Sequence, residues 1–230
     1  AALQIPFCRA DPAGGAAVNV TGTVNVFEAA KKQGVGQISQ ASSIAVFGRS
    51  SDYAERILHA NAPRLPNTLY GVYKVATEDL AKVFWAEDGI RSVGLRPHTV
   101  FGPGRDQGLT SLPSVGIEHA VAGQPFHIDF GGSLDFQYAP DVAAAFIHAA
   151  RVDIEGAPTF NIAGESTTVA AFVDMIHAVT GFHQITHGAQ LLPVVDGVDA
   201  TDWFERAGGP TPTPLRAAIE ESARVFATAN

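Results

Sequence analysis

The chain has 230 residues, of which 46% are hydrophobic and 17% are charged. This balance excludes a disordered chain and supports a sizeable core in one domain, or in one domain with a small lobe. The formal net charge is −8, with 15 Lys and Arg residues in no basic run, so nucleic acids and anionic membranes are poor partners. The apolar stretches fall short of the roughly 20 residues that span a bilayer. We therefore predict a soluble, cytoplasmic protein.

The first part of the chain alternates helices and strands. In chain order we predict a helix over about 13–33, a strand over 35–43, a helix over about 68–87 and a strand over 91–96. The first helix ends in Lys31 and Lys32 followed by Gly34, which is typical of a helix C-terminus. This alternation is the pattern of an α/β fold with a parallel sheet.

In the second part, helices and strands alternate less regularly, and the sequence has no internal repeat. We predict helices over about 113–122, 141–150, 168–180 and 213–228, and strands near 126–129, 135–138, 159–162 and 191–195. Asp141 is the expected N-cap of the second of these helices, and Gly181 is the expected C-cap of the third.

Both early helices are apolar on more than one side. On the second helix the apolar residues are Val72, Tyr73, Val75, Ala76, Leu80, Val83, Phe84 and Trp85. A helix that is apolar nearly all round is buried on a second side. We infer a homodimer formed through the helices at about 13–33 and 68–87; burial under the chain's own loops is the alternative.

The clearest chemical pattern is Tyr70-Gly-Val-Tyr-Lys74. Positions i and i+4 of a helix share a face, so the Tyr70 phenol and the Lys74 ammonium are expected side by side. A nearby cation favours the phenolate and lowers a tyrosine pKa that is ordinarily near 10. Such a tyrosine serves as a general acid/base near neutral pH. The alternative is that the two residues are ordinary helix neighbours.

Two predicted strand ends support the catalytic interpretation. The first strand ends in Ala41-Ser42-Ser43, and parallel α/β sheets bind ligands at the carboxyl ends of their strands. A hydroxyl there is placed to hydrogen bond a substrate oxygen that Tyr70 protonates or deprotonates. The segment Leu95–Gly104 adds a second strand tip, followed by a Gly/Pro loop, at the same edge.

Five segments in this order resemble the extended short-chain dehydrogenases/reductases and, more narrowly, the NAD-dependent epimerase/dehydratase family. They are Asn19–Val26, Ser42–Gly48, Tyr70-x-x-x-Lys74, Leu95–Gly104 and Asp135–Asp141. The resemblance extends to about residue 180. It implies a Rossmann-like, doubly wound parallel sheet with a small C-terminal substrate-binding lobe. The implied nucleotide-binding part comprises 1–110 plus about 139–165, and the lobe about 111–138 plus 166–230.

The resemblance also implies roles for individual residues. Tyr70 would be the catalytic acid/base, Lys74 would lower its pKa and hold the nicotinamide ribose, and Ser43 would be the catalytic hydroxyl. The residues implied in binding NAD or NADP are Asn19, Ser42, Tyr70, Lys74, Pro97 and His98.

The departures from the family pattern concern the cofactor. The glycine-rich turn that binds the dinucleotide pyrophosphate is absent, and Gly34-Val-Gly36 lies between a helix and a strand, the wrong order for such a turn. Ala1-Ala2 resembles the end of the family's fourth strand. We therefore expect an N-terminally truncated fold. Either the sequence is a piece of a longer chain, or dimerisation or rearrangement covers the exposed sheet edge.

Other departures narrow the substrate. Ile44-Ala45 stand where family dehydratases carry an acidic pair, so dehydration is disfavoured. Leu134 and Thr99 stand where enzymes of nucleotide sugars usually have Arg and Asn, although Arg105 is a possible replacement donor. A smaller alcohol, sugar or sugar acid is the better fit, with Ser43, Thr99 and Arg105 as its expected contacts.

The first functional hypothesis is an NAD(P)-dependent oxidoreductase or epimerase that moves a hydride at a secondary alcohol. One alternative is a non-catalytic or truncated family remnant unable to bind a dinucleotide, and another is a nucleotide-sugar 4-epimerase. No metal site is predicted, because His183 and His187 lack a third ligand. The single cysteine, Cys8, excludes an intrachain disulfide and is expected to be an inert packing residue.

Overall fold

The computed structural model describes residues 2–229, and the side chains of residues 2–228. The α-helices are α1 (Ile5–Ala10), α2 (Pro12–Ala16), α3 (Gly22–Gln33), α4 (Leu69–Asp88), α5 (Leu112–Val121), α6 (Ala139–Ala149), α7 (Val169–Thr180), α8 (Thr201–Ala207) and α9 (Leu215–Ala229). The strands are β1 (Gln37–Ala41), β2 (Ile57–Leu58), β3 (Arg91–Arg96), β4 (Thr99–Phe101), β5 (Phe126–Gly131), β6 (Ser133–Tyr138), β7 (Thr159–Asn161), β8 (Glu165–Thr168), β9 (Ile185–Leu191) and β10 (Gly197–Val198).

A parallel sheet of order β1-β3-β7 carries helices on both faces. Side chains of a strand alternate between the two faces of its sheet. In β3, Val93 and Leu95 pack into a core with residues of α6 and α8, whereas Arg96 points to the opposite face and contacts Glu78 of α4. The prediction of a doubly wound α/β fold with a parallel sheet is confirmed.

A second core lies beside this sheet, under the sheet β4-β6-β8 and the pair β5-β9. Its centre is aromatic: the Phe136 and Phe172 rings stack with centroids 4.4 Å apart, and Phe101 meets Phe172 edge-on at 5.2 Å. Helices α5, α7 and α9 cover it. In the described part of the chain, no helix is both long enough and apolar enough to cross a membrane.

Helix α4 (Leu69–Asp88) begins and ends within one residue of the predicted range 68–87. The Thr68 hydroxyl accepts a hydrogen bond from Gly71 N at 3.0 Å and thereby caps the helix, and Gly89 ends it with φ of 68°. Gly181 ends α7 in the same left-handed conformation, as predicted.

Several predicted elements differ in the structure. The helix predicted over 13–33 is divided into α2, a π-helical turn (Ala17–Thr21) and α3. The predicted N-cap role of Asp141 is wrong: Asp141 lies inside α6, where its carboxylate accepts hydrogen bonds from the Thr213 amide and hydroxyl. Ala1, one half of the predicted strand end, lies outside the described residues.

The strand predicted at 191–195 is also wrong. Strand β9 ends at Leu191, and Pro193 follows without an N–H to offer a neighbouring strand. The carbonyl of Val195 instead accepts a hydrogen bond from the His98 ring at 2.9 Å. Side chains of Asn67 and Ser50 bond the carbonyls of Pro193 and Val194 in the same way, so side chains and not a neighbouring strand pair with this segment.

A substitution at Gly71 tests how closely α4 approaches the turn after β1. A Cβ at Gly71 would lie 2.1 Å from the carbonyl oxygen of Ala45. We expect Gly71→Ala to lower the free energy of unfolding by about 1–3 kcal/mol, the usual cost of overpacking. Gly22→Ala is the matched control, since its nearest contact would be at 3.7 Å, and we expect it to stabilise by up to about 1 kcal/mol. Denaturant unfolding measures both, and shifts of the same sign would contradict the close approach.

Candidate active site

The candidate site lies at the carboxyl ends of β1 and β3, facing the first turns of α4. Parallel strands end at the same sheet edge, so Ser43 after β1 and Pro97 after β3 come together there. Tyr70 and Lys74 face this edge from α4. Together they border a cavity of about 330 Å³.

Most predicted site residues line this cavity. Those that do are Ser42, Ser43, Tyr70, Lys74, Pro97, His98, Thr99 and Arg105. Asn19 is the exception. Its amide donates to the carbonyls of Leu3 at 3.1 Å and Gly15 at 3.0 Å and lies 3.5 Å from Cys8 Sγ. Asn19 is thus buried behind the cavity, and it ties the segment before α1 to the helices that follow.

Tyr70 and Ser43 form the polar centre of the site. Burial raises the pKa of Tyr70, whereas a side-chain hydrogen bond with Ser43 and the positive charge of Arg105 lower it. Ser43 Oγ also accepts the Ala45 N–H at 3.2 Å, so its own hydroxyl proton is left to donate. The predicted lowering of the Tyr70 pKa by Lys74 is wrong, because burial dominates and Lys74 is not among the opposing groups.

Lys74 lies over the face of the Tyr70 ring, with Nζ 5.5 Å from the ring centroid. Its Nζ donates to the carbonyl oxygen of Ala41, the last residue of β1, at 2.6 Å. Burial lowers the pKa of Lys74 to about 8. The ammonium therefore anchors the strand end and lies over the face of the phenol ring.

A buried ion pair holds the same helix against both strand ends. Glu78, one turn after Lys74, accepts two hydrogen bonds from the Arg96 guanidinium at 2.7 Å each. It also accepts the Ser42 hydroxyl at 2.5 Å. Ser42 therefore points into the protein, and Ser43 is the hydroxyl that faces Tyr70.

His98 and Thr99 are committed to each other and to the backbone. His98 Nε2 contacts Val195 O at 2.9 Å, and Nδ1 contacts the Thr99 hydroxyl at 3.1 Å. Because a carbonyl oxygen only accepts, Nε2 carries the proton and Nδ1 accepts from Thr99. Burial lowers the pKa of His98, which agrees with a neutral, structural ring.

Sequence reasoning missed several residues of the site. Gln4, Asn67 and Thr110 also line the cavity. Glu78 had a detectable signal, since it follows Lys74 by four residues and shares its helix face. The lining residues of the loops had none, because only the tertiary structure brings them to the strand ends.

The residues present fit the nicotinamide and ribose of a dinucleotide. The Tyr70 and Ser43 hydroxyls and the Lys74 ammonium lie around one cavity with Pro97, and Lys74 has donors beyond the one bound to Ala41. No residues for the pyrophosphate are recognised in this sequence. Among the described residues, no group of three His, Cys, Asp or Glu side chains is placed to hold a metal ion.

Comparison with known proteins identifies the family. The sequence profile of the NAD dependent epimerase/dehydratase family matches residues 2–163. The chain belongs to this family, as its motifs predict.

Among curated relatives, sterol-4-alpha-carboxylate 3-dehydrogenase (decarboxylating) of Saccharomyces cerevisiae is 32% identical over 152 residues, 65% of this chain and 42% of the relative. Uronate dehydrogenase of Pseudomonas putida is 41% identical over 78 residues, 34% of this chain and 28% of the relative. The chain thus spans less than half the length of these two relatives. A solved L-threonine 3-dehydrogenase of partial consensus sequence superposes with a TM-score of 0.90 at 22% identity, over 99% of this chain and 77% of that one. This superposition shows that the chain has the Rossmann fold.

The lowered pKa of Lys74 makes the stability depend on pH. Between about pH 8 and 10.5 the unfolded state holds a lysine proton that the folded state has lost, so the free energy of unfolding rises with pH. We expect the stability of the wild type relative to Lys74→Met to increase by about 2 kcal/mol between roughly pH 7.5 and 9.5. Urea unfolding at several pH values measures this. Lys82→Met, an exposed lysine of the same helix, is the control, and an equal rise against both variants would contradict the assignment.

Proposed function

We propose that the protein is an NAD(P)-dependent oxidoreductase or epimerase that moves a hydride at a secondary alcohol of a sugar or sugar-like substrate. The supporting observation is that Tyr70, Ser43 and Lys74 line one cavity at the carboxyl ends of β1 and β3. Membership of the NAD-dependent family supports the nicotinamide chemistry.

Each polar group has a separate task in this proposal. The bound nicotinamide accepts or supplies the hydride. Tyr70 takes the proton of the substrate hydroxyl or returns it, and Ser43 hydrogen bonds the same substrate oxygen. Since burial raises the pKa of Tyr70, the phenol is protonated at neutral pH and suited to donate to a carbonyl, whereas alcohol oxidation is favoured as the pH rises.

The relatives and the turn after Ser43 narrow the reaction. The two curated relatives are named as acting on a sterol carboxylate and on a uronate, and both names describe dehydrogenation. Ile44 and Ala45 are buried beside Ser43 and carry no carboxylate to move a second proton. Oxidation or epimerisation of a small substrate is therefore proposed ahead of dehydration.

Two alternatives predict different binding. A nucleotide-sugar 4-epimerase would bind a uridine diphosphate sugar, which the apolar Leu134 and the engaged Thr99 hydroxyl disfavour. A non-catalytic remnant would bind neither NAD nor NADP, so calorimetric titration with both dinucleotides distinguishes it from an enzyme. A cytoplasmic location stays a prediction.

Tyr70→Phe tests the proposed acid/base. Removing the phenol oxygen should lower kcat by at least about 100-fold, a typical contribution of general acid/base catalysis, and leave dinucleotide affinity nearly unchanged. Tyr73→Phe is the matched control, because its hydroxyl donates to Pro12 O at 2.9 Å, away from the cavity. Unchanged turnover in Tyr70→Phe would exclude Tyr70 as the acid/base.

We also propose that the chain divides into the two parts predicted from the sequence. The nucleotide-binding part contains the sheet β1-β3-β7, and the substrate lobe contains the aromatic core around Phe136 and Phe172. Two elements of the later segment cross this division: α8 packs against the main sheet through Trp203, and β10 pairs with β2. The C-terminal segment thus fastens the lobe to the sheet.

The exposed apolar side chains of α3 and α4 support the proposed homodimer. Val26 is 55% exposed, and Val72 and Val83 are 46% and 49% exposed. We expect Val83→Arg to reduce the molar mass in sedimentation analysis to that of a monomer, because a buried charge without a partner is costly. Val225→Arg, at an exposed valine of α9, should leave the mass unchanged. A monomeric wild type would contradict the proposal.

A further inference from the structure

The charges around the cavity are of one sign. Among the described residues, Lys74 and Arg105 line it, and no Asp or Glu does. This is unexpected in a chain whose formal net charge is −8. A partly enclosed cavity with cations and no carboxylates has a positive potential and attracts anions.

Both cations keep unused N–H donors, but those of Lys74 are the ones expected to hold the nicotinamide ribose, which leaves Arg105 for an anionic group of the substrate. Lys74 is directed to Ala41 O. The Arg105 guanidinium contacts Gln107 O through Nη1 and the Thr110 hydroxyl through Nη2 at 3.3 Å. A guanidinium has five N–H donors, and within residues 2–228 Arg105 forms no ion pair. The carboxylate that raises the pKa of Arg105 is the exposed side chain of the adjacent Asp106, which acts on it through its charge and not through a hydrogen bond.

Arg105 is also coupled to the reacting group. Its positive charge lowers the pKa of Tyr70, while burial lowers the pKa of Arg105 itself. A cation close enough to act on the phenol, and already partly dehydrated, binds an anionic group with less further cost than a fully hydrated one. Tyr70 and Arg105 are therefore placed to contact two different polar groups of the same ligand.

We propose that Arg105 binds the carboxylate of the substrate, and that the substrate is a small hydroxy acid whose reacting hydroxyl lies between Tyr70 and Ser43. The inference rests on the proposed function and adds the substrate class to it. A planar carboxylate matches one guanidinium fork. A diphosphate carries more charge than this single free cation balances, and the cavity of about 330 Å³ also has to hold the nicotinamide.

Part of the remaining wall is apolar and complements the carbon skeleton of such an acid. Leu109, Leu192 and Val194 line the cavity. They would contact the carbon skeleton while Arg105 and Ser43 fix its two polar ends. A neutral analogue would leave the dehydrated guanidinium without a partner, which is how a polar site rejects a ligand that lacks one group.

The test compares acids with matched neutral compounds on the full-length protein. The probes are D-galacturonate against D-galactose and 3-hydroxybutyrate against 2-butanol, with UDP-glucose as the phosphate-bearing arm. Calorimetry measures binding in the presence of the dinucleotide, and turnover is measured where it occurs. We expect at least one acid to bind, and Arg105→Met to weaken it by about 10- to 100-fold, as for loss of a charge-assisted hydrogen bond, mainly in KM.

Arg151→Met is the control, since Arg151 is an exposed arginine remote from the cavity, and it should leave acid binding unchanged. Failure of both acids to bind, or binding that Arg105→Met does not weaken, would overturn the inference. If UDP-glucose binds and Arg105→Met weakens that binding, the Arg105 guanidinium binds a diphosphate and not a carboxylate, which would also overturn the inference. None of these results decides whether the proposed function is correct, because dinucleotide titration and Tyr70→Phe test that separately. Failure of the substrate class and failure of the proposed function can therefore be told apart.

Discussion

The geometry of the candidate site depends on the buried ion pair between Glu78 and Arg96. Both side chains are nearly inaccessible, at 1% and 4%, and each is satisfied on all sides. Arg96 also donates to Ala60 O at 2.7 Å, and the Glu78 carboxylate accepts a further hydrogen bond from the Ser42 hydroxyl. An unpaired charge at this depth would be costly, so α4 is held in one position against the ends of β1 and β3.

That position explains why one helix face carries the site. Tyr70, Lys74 and Glu78 follow one another at intervals of four and project to the same side. Glu78 binds Ser42 from the strand end, Lys74 binds the carbonyl just before it, and Tyr70 meets the hydroxyl just after it. Three consecutive residues of the β1 end thus meet three consecutive turns of α4. A small shift of the helix would alter all three contacts together.

The sequence predicted the parts of this arrangement that depend on local spacing. Helix α4 lies within one residue of the predicted range 68–87, and the shared face of Tyr70 and Lys74 follows from helical periodicity. The sequence did not predict which effect dominates at Tyr70, because burial depends on how the loops close over it. The strand predicted at 191–195 failed for a similar reason: the partners of its backbone carbonyls are the side chains of Asn67, Ser50 and His98, all far away in the sequence. Local patterns predict elements, and long-range contacts decide their environment.

Burial and the charge of Arg105 have opposite effects on the pKa of Tyr70, and this links the acid/base chemistry to the charge of the substrate. Burial alone would keep the phenol protonated and unable to accept a proton from an alcohol. Arg105 opposes that effect, and a carboxylate bound to Arg105 would neutralise the opposing charge. Binding of an acid would therefore raise the pKa of the Tyr70 phenol further and favour proton donation to a carbonyl, unless the positive charge of an oxidised nicotinamide compensates. Within this proposal, the cofactor's oxidation state and the substrate's charge together set the direction in which the proton moves.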